Sequence, residues 1–305
     1  MLFDMLLSSG GFADYRTESN VLNILEPRFG NLANPIVQHR LLDAWFGCRL
    51  GKLSGLDRTE LEVALAGECR NGGDFLRIVM EAIARRQGAW RWAETTPEHL
   101  LFLDRIKQTI PNALIVHVIR DGRDVALSTA RLGYIRRLKF DPLPNIMACA
   151  MYWEWMVNRG RVAGRRLGRD YMEVRFEDLV KEPHSTLGKL GAFIEHDLDY
   201  DKIRQRSRRR PNSSFRDEEQ ANVDPIERWR RRLSPDDLGI LEQLVGGTLR
   251  ELGYSLAGSP TSGGQTPASL ATTRMLYRAW FDIKRFLKAR TPAGRWLVTR
   301  DLSWI

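Results

Sequence analysis

Arg120, Arg123 and Ser128 are the residues whose types and spacing point most directly to chemistry. Two guanidinium groups and, a helical turn further on, a hydroxyl form a set suited to a phosphate dianion. The alternative is an Arg–Asp network, with Asp121 and Asp124, that only ties the turn together. The flanking sequence says where such a set would sit. Ala113 to Ile119 is an apolar run rich in β-branched residues, which reads as a strand buried on both faces. It breaks at Arg120-Asp121-Gly122, and a helical pattern follows from Asp124. A strand that enters a helix through a polar turn places that turn at the C-terminal edge of a parallel sheet, where α/β folds bind ligands. One further side chain could move a proton, His99 at the start of a helix, and its plainer reading is a cap or surface residue. Glu18, in a polar segment after the first helix, reads by itself as an acid favoured by a helix N-terminus.

The run Arg120 to Ser128 also resembles the second nucleotide-binding motif of sulfotransferases that use 3′-phosphoadenosine 5′-phosphosulfate (PAPS). In that family the first Arg and the final Ser hold the donor's 3′-phosphate, which implies that role for Arg120 and Ser128. Other stretches carry the likeness along residues 1–255. Glu18 lies where related enzymes place an acidic base. Trp90 to His99 resembles the segment before the second strand, where a Lys usually touches the transferred sulfuryl group. Thr95 stands in that Lys position, which leaves Thr95 and Thr96 to contact the phosphosulfate by hydroxyl. Phe176, in Phe176-Glu177-Asp178-Leu179, takes the place of the aromatic beside the adenine. Arg230, after Trp229, matches the family's Trp-Lys/Arg step. The implied fold is α/β: a P-loop-NTPase-like, three-layer αβα arrangement with a central parallel sheet, rich in helix. Its first strand and 5′-phosphosulfate loop of the Arg-Ser-Gly-Thr-Thr kind are not in this sequence, whose residues 1–8 read as the body of the helix that would follow that loop.

The remaining elements read as supports. Helices are expected over 35–50, 56–69 and 72–87, with Asp57 and Thr59 as caps and a turn at Asn71-Gly72-Gly73. Another covers 98–110. A long one covers 144–168, where Trp153, Trp155 and Met156 fit a core better than a binding box. Alternation over 172–176 reads as a strand, and Pro183 opens a helix. Ser234 and Pro235 begin another, ending near Gly253. Arg204 to Arg210 is an arginine run of the kind that folds over the nucleotide in the resembling family, or else a solvated face. Residues 256–268 read as a linker. In the tail, 269–305, the helix 273–290 places Leu276, Trp280, Ile283 and Leu287 on one face and Arg274, Arg278, Lys284, Arg285 and Lys288 around the other. Such a helix could lie on an anionic membrane or dock on the catalytic domain or a partner.

Composition narrows the classes. With 305 residues, 43% hydrophobic, the chain can bury a sizeable core. Its 47 Lys and Arg against 38 acids give a net charge of +9, which suits an anionic ligand, an acidic acceptor or a membrane surface. Nucleic acid is disfavoured, since no recognition fold appears and no aromatics interleave the arginine run. Three cysteines without a C-x-x-C pair argue against a disulfide framework or zinc ribbon and for a reducing, cytoplasmic setting. No apolar run approaches the roughly 20 residues a membrane span needs. A P-loop kinase would need a Lys-bearing Walker loop, which is missing. Two functions remain. One is a sulfotransferase moving a sulfuryl group from PAPS to a hydroxyl or amine of unnamed class, without a metal. The other is a non-catalytic relic that binds PAPS or its product PAP (3′-phosphoadenosine 5′-phosphate) and serves as a membrane- or partner-binding protein.

Overall fold

A computed structural model describes residues 1–206, 224–257, 267–291 and 294. Helix α1 (Leu2–Ser9) opens the chain and stops at Gly10, which adopts φ 93°. The extended segment after it forms a single parallel bridge, Phe12 to Arg91. Asn20, left-handed at φ 51°, turns the chain into a wide helical turn (Val21–Leu25) and α2 (Glu26–Phe29). A helical layer follows: α3 (Pro35–Gly47), α4 (Arg49–Ser54), α5 (Arg58–Leu65) and α6 (Gly72–Arg86). Asp57 caps α5 by accepting from Glu60 N–H, so Thr59 is not needed there, and Asn71 caps α6. A 3-10 turn (Pro97–Phe102) leads into α7 (Leu103–Thr109), and then into the sheet.

Strands β1 (Ile115–Ile119) and β2 (Tyr171–Arg175) pair in parallel, from Ile115 opposite Tyr171 to Ile119 opposite Arg175. The crossover between them holds α8 (Gly122–Leu132) and α9 (Asn145–Leu167). After β2 come α10 (Phe176–Lys181), α11 (Pro183–Ile194), α12 (Tyr200–Arg206), α13 (Trp229–Arg232), α14 (Pro235–Glu251) and α15 (Pro267–Arg290). Phe176 therefore begins a helix instead of ending the strand. Three cores surround the sheet. Leu22, Trp45, Phe75 and Ile106 lie in the first, which also touches Ile115 and Tyr171. Ala126, Met147, Trp153, Val245, Tyr277 and Phe281 join α8, α9, α14 and α15 in the second. Met5, Val174, Leu187 and Ile203 form the third, on α1, α11 and α12. Each fully buried large side chain contributes roughly 1.5–3 kcal/mol.

Two expectations change. The strand run is not covered on both faces, because Leu114 is 40% and Val118 39% exposed while His117 and Ile119, on the other side of the pleat, are buried. The C-terminal helix also docks by the face that looked polar. Glu154 of α9 is fully buried and needs counter-charges; Arg274 and Arg278, one turn apart on α15, both reach it, and Thr248 donates a hydroxyl. Tyr277 and Phe281 pack beside them, so Leu276 and Ile283 point away from the protein. The arginine run beyond Arg206, with Pro211 to Phe215, and most of the segment read as a linker lie outside the described residues.

Candidate functional site

The turn after β1 is assembled from several elements. Asp121 caps α8 by accepting from Arg123 N–H at 2.9 Å, and its own N–H donates to Glu177 Oε1 at 2.9 Å. Glu177, buried on α10, also accepts from Tyr254 O–H at 2.9 Å, so one carboxylate joins the ends of β1, β2 and α14. Trp153 of α9 donates its indole N–H to Arg120 C=O at 3.1 Å. Gly122 lets that ring lie against the turn, since a Cβ there would fall 2.4 Å from it. Arg123 is consumed by the scaffold. It meets both oxygens of Asp121 at 2.8–3.0 Å, Glu242 at 2.5 Å and Ser255 C=O at 2.9 Å, and lies 3.8 Å over the Trp229 ring. The fork expected from Arg120 and Arg123 is therefore not formed, because Arg123 is held by the scaffold.

Arg120 is bound less completely than Arg123. Its guanidinium sits 4.5 Å from the Phe176 ring, donates to Pro225 C=O at 2.5 Å and lies 3.7 Å from Asp124. Its Nε is buried without a hydrogen-bond partner among the described residues, and so is Asp124 Oδ2. Ser128, half-buried, follows Asp124 by one turn on the same face of α8. Trp229 N–H donates to Asp124 Oδ1 at 3.0 Å, which brings Arg228 to this face. The Arg228 guanidinium is held below the usual arginine range, first by burial and then by Arg120, with Asp124 opposing and Arg232 and Arg131 adding to the effect. This face of α8 is therefore rich in positive charge. Arg230 points elsewhere: it pairs with Glu227 at 2.8 Å and covers the Trp229 ring at 4.4 Å.

The second group of expected residues gathers around Glu94. Its carboxylate accepts from Ser19 N–H and O–H at 3.1 and 2.8 Å, from Thr96 N–H and O–H, and from His99 Nδ1–H at 2.8 Å. Burial alone would raise its pKa, but His99 and Thr96 outweigh burial and hold it at about 2. The other ring nitrogen of His99 faces Leu22 N–H at 3.4 Å, so both are occupied and His99 is buried. Thr96 is buried, whereas Thr95 is exposed. Glu18 lies at the rim of this cluster. Its surface is open, yet its carboxyl is pushed above the usual range, first by partial loss of water and then by Glu94 and Glu98, with Lys288 opposing. Lys288 reaches Glu98 at 2.9 Å, and Asn23 binds the same carboxylate at 2.8 Å, so α15 closes one side of the cluster.

The sequence model described as the sulfotransferase family matches residues 19–201. The chain belongs to the sulfotransferase family. Among solved structures it is similar to the sulfotransferase domain from the curacin biosynthetic pathway, at TM-score 0.52 and 16% identity, over 84% of this chain and 94% of that one. It also matches the sulfotransferase domain from the Synechococcus PCC 7002 olefin synthase, at TM-score 0.47 and 14% identity, over 92% and 89% of the two chains. No functionally curated protein matches it.

In this sulfotransferase-family chain the structure brings Arg120, Ser128 and Phe176 to one place and Glu18, Thr95, Thr96 and His99 to another. It leaves Arg230 outside both. Sequence reasoning missed Glu177, Arg228, Glu94 and Lys288. Glu177 and Glu94 carry a local signal, each being an acid beside a residue already singled out. Arg228 and Lys288 carry none, because their neighbours are more than 100 residues away in the chain.

Proposed function

We propose that this protein is a PAPS-dependent sulfotransferase whose acceptor presents a hydroxyl or amine. The observation that carries the reading is Arg120 beside Ser128, its guanidinium laid across Phe176 and its buried Nε without a hydrogen-bond partner among the described residues. A phosphate would relieve that charge, and a planar base could stack on the half-buried aromatic next to it. Arg120, Ser128 and Arg228 would hold the 3′-phosphate, and Phe176 would border the adenine. The bound donor supplies the activated sulfuryl group.

On the acceptor side, Glu18 is the group able to take a proton. It is open at the surface and its raised pKa makes it a better base than an ordinary carboxylate. His99 positions the loop instead, since Glu94 and Leu22 N–H occupy its ring. Thr95, exposed beside this cluster, is the hydroxyl available to a phosphosulfate oxygen. The three free, buried cysteines accord with a reducing compartment. No helix among the described residues is long and apolar enough to cross a membrane.

Calorimetric titration with PAP tests the donor half. PAP should bind, and adenosine 5′-phosphosulfate, which lacks the 3′-phosphate, should bind at least about tenfold more weakly, as expected from loss of charge-assisted hydrogen bonds. Arg120→Ala and Arg228→Ala should each remove that preference, and Arg230→Ala should not. Equal affinity for the two nucleotides would overturn the assignment.

A further inference from the structure

The docked helix α15 is apolar on two opposite sides. Leu270, Tyr277, Phe281 and Ala289 face the protein. Met275, Leu276, Ile283 and Phe286 are 69%, 43%, 51% and 58% exposed. At about 100° per residue these four fall within an arc of roughly 100°, spread over some 16 Å of helix. A stripe of large apolar side chains this long is not the scattered exposure of an ordinary surface. The charges around it are mostly positive. Asp282 is the sole acid of α15 and is paired with Arg159 at 2.7 Å. Arg290 is exposed at the end of the stripe. Lys284 lies beside it, near enough to Arg136 to feel its charge.

Arg136 belongs to a loop that α15 fixes in place. The Tyr277 hydroxyl accepts from Leu138 N–H at 2.9 Å and donates to Asp141 at 2.6 Å. This loop exposes Leu132, Tyr134 and Phe140 at 56%, 64% and 72%, interleaved with exposed Arg136 and Lys139. Residues 125–140 contain no acid. The sequence beyond α15 continues in kind, with Trp296 and Trp304 among Arg295, Leu297, Arg300 and Ile305. Aromatic and aliphatic side chains mixed with cations, and almost no carboxylates, match a bilayer of anionic headgroups. A protein partner would instead be met by a face depleted in lysine, with mixed charges at its rim.

We propose that the outward face of α15, together with loop 132–140, binds the surface of an anionic membrane, the helix lying in the headgroup plane. The inference does not depend on the donor or acceptor of the transfer reaction. Co-sedimentation of the full chain with vesicles tests it. Vesicles of phosphatidylcholine with about a quarter phosphatidylglycerol should carry the protein down, and pure phosphatidylcholine vesicles should not. Binding should fall steeply between low and high salt. The double variant Ile283→Asp/Phe286→Asp changes only exposed side chains, so its thermal midpoint should stay put while vesicle affinity drops about tenfold or more. Arg136→Ala/Lys139→Ala should weaken binding by a similar factor and flatten the salt dependence. Binding that is equal on both vesicle types, or unchanged in the Ile283/Phe286 variant, would overturn the proposal. So would a chain that ignores vesicles and forms a dimer that this variant dissociates, since the stripe would then be covered by a second copy.

Discussion

Arg120 and Arg123 are three residues apart, yet their surroundings give them opposite work. Arg123 is buried against Asp121 and Glu242, so Arg123→Ala would take a counter-charge from two buried carboxylates and should cost about 3–5 kcal/mol of stability by urea titration. Arg120 shares its charge with one buried carboxylate, Asp124, at the longer distance of 3.7 Å. Arg120→Ala should therefore cost less stability than Arg123→Ala, while on the proposed function it should weaken PAP binding the more. Glu18 gives a separate expectation. Its pKa is raised, so the deprotonated base form fills only at a pH above the ordinary carboxylate range. The acid limb of kcat/KM, measured with an acceptor found by screening, should sit above that range. Glu18→Gln should remove the limb and lower kcat by about 100-fold.

At the scale of elements, α15 is held both by buried apolar side chains and by a buried carboxylate. Glu154 draws Arg274 and Arg278 inward and accepts from Thr248 on α14, so three helices converge on it. Glu154→Gln keeps the shape and removes the charge. It should destabilise the chain by about 3 kcal/mol and expose 267–290 to trypsin under conditions where the parent resists. A Glu154→Leu/Arg274→Met pair should recover much of the loss, because a buried ion pair is often matched by apolar residues of like volume. The same docking sets Lys288 against Glu98 and so ties this helix to the loop that carries Glu18.

For the whole molecule, two buried groups contribute to the response to acid. His117 donates or accepts within 2.6 Å of Tyr171 O–H, and burial pushes its pKa from 6.5 down to about 4. Between those values the unfolded chain binds the extra proton, so stability falls as pH drops from about 6.5 toward 4. Glu94, held at about 2, adds a second loss as pH falls from its ordinary 4.5 toward 2. Each group can cost up to about 1.4 kcal/mol per pH unit within its window. Thermal melts should therefore show a lower midpoint at pH 5 than at pH 7.5, and His117→Gln should shrink that difference.

Much of the fold was written locally. The strand at 115–119, the turn and the helix that follows it could be read from one apolar run, one polar break and one cap, because each depends on neighbours within a few residues. The caps at Asp57 and Ser234 and the turn at Asn71 were legible for the same reason, as was the placing of Arg120 and Ser128 together. Phe176 was also visible, although its backbone belongs to a helix. What local patterns cannot encode is which charge a buried partner will claim. Arg123 looked like a ligand group until Glu242, 119 residues later, took it up. Arg228 and Arg230 differ by two positions, and only the burial of Trp229 against α8 decides which one faces Arg120. On α15 the amphipathic pattern left open which face docks, because periodicity counts apolar side chains and could not know of Glu154. The sequence by itself determined the elements and the phosphate-suited turn. The tertiary structure alone decided which cations the scaffold takes up, since that depends on where the buried carboxylates lie.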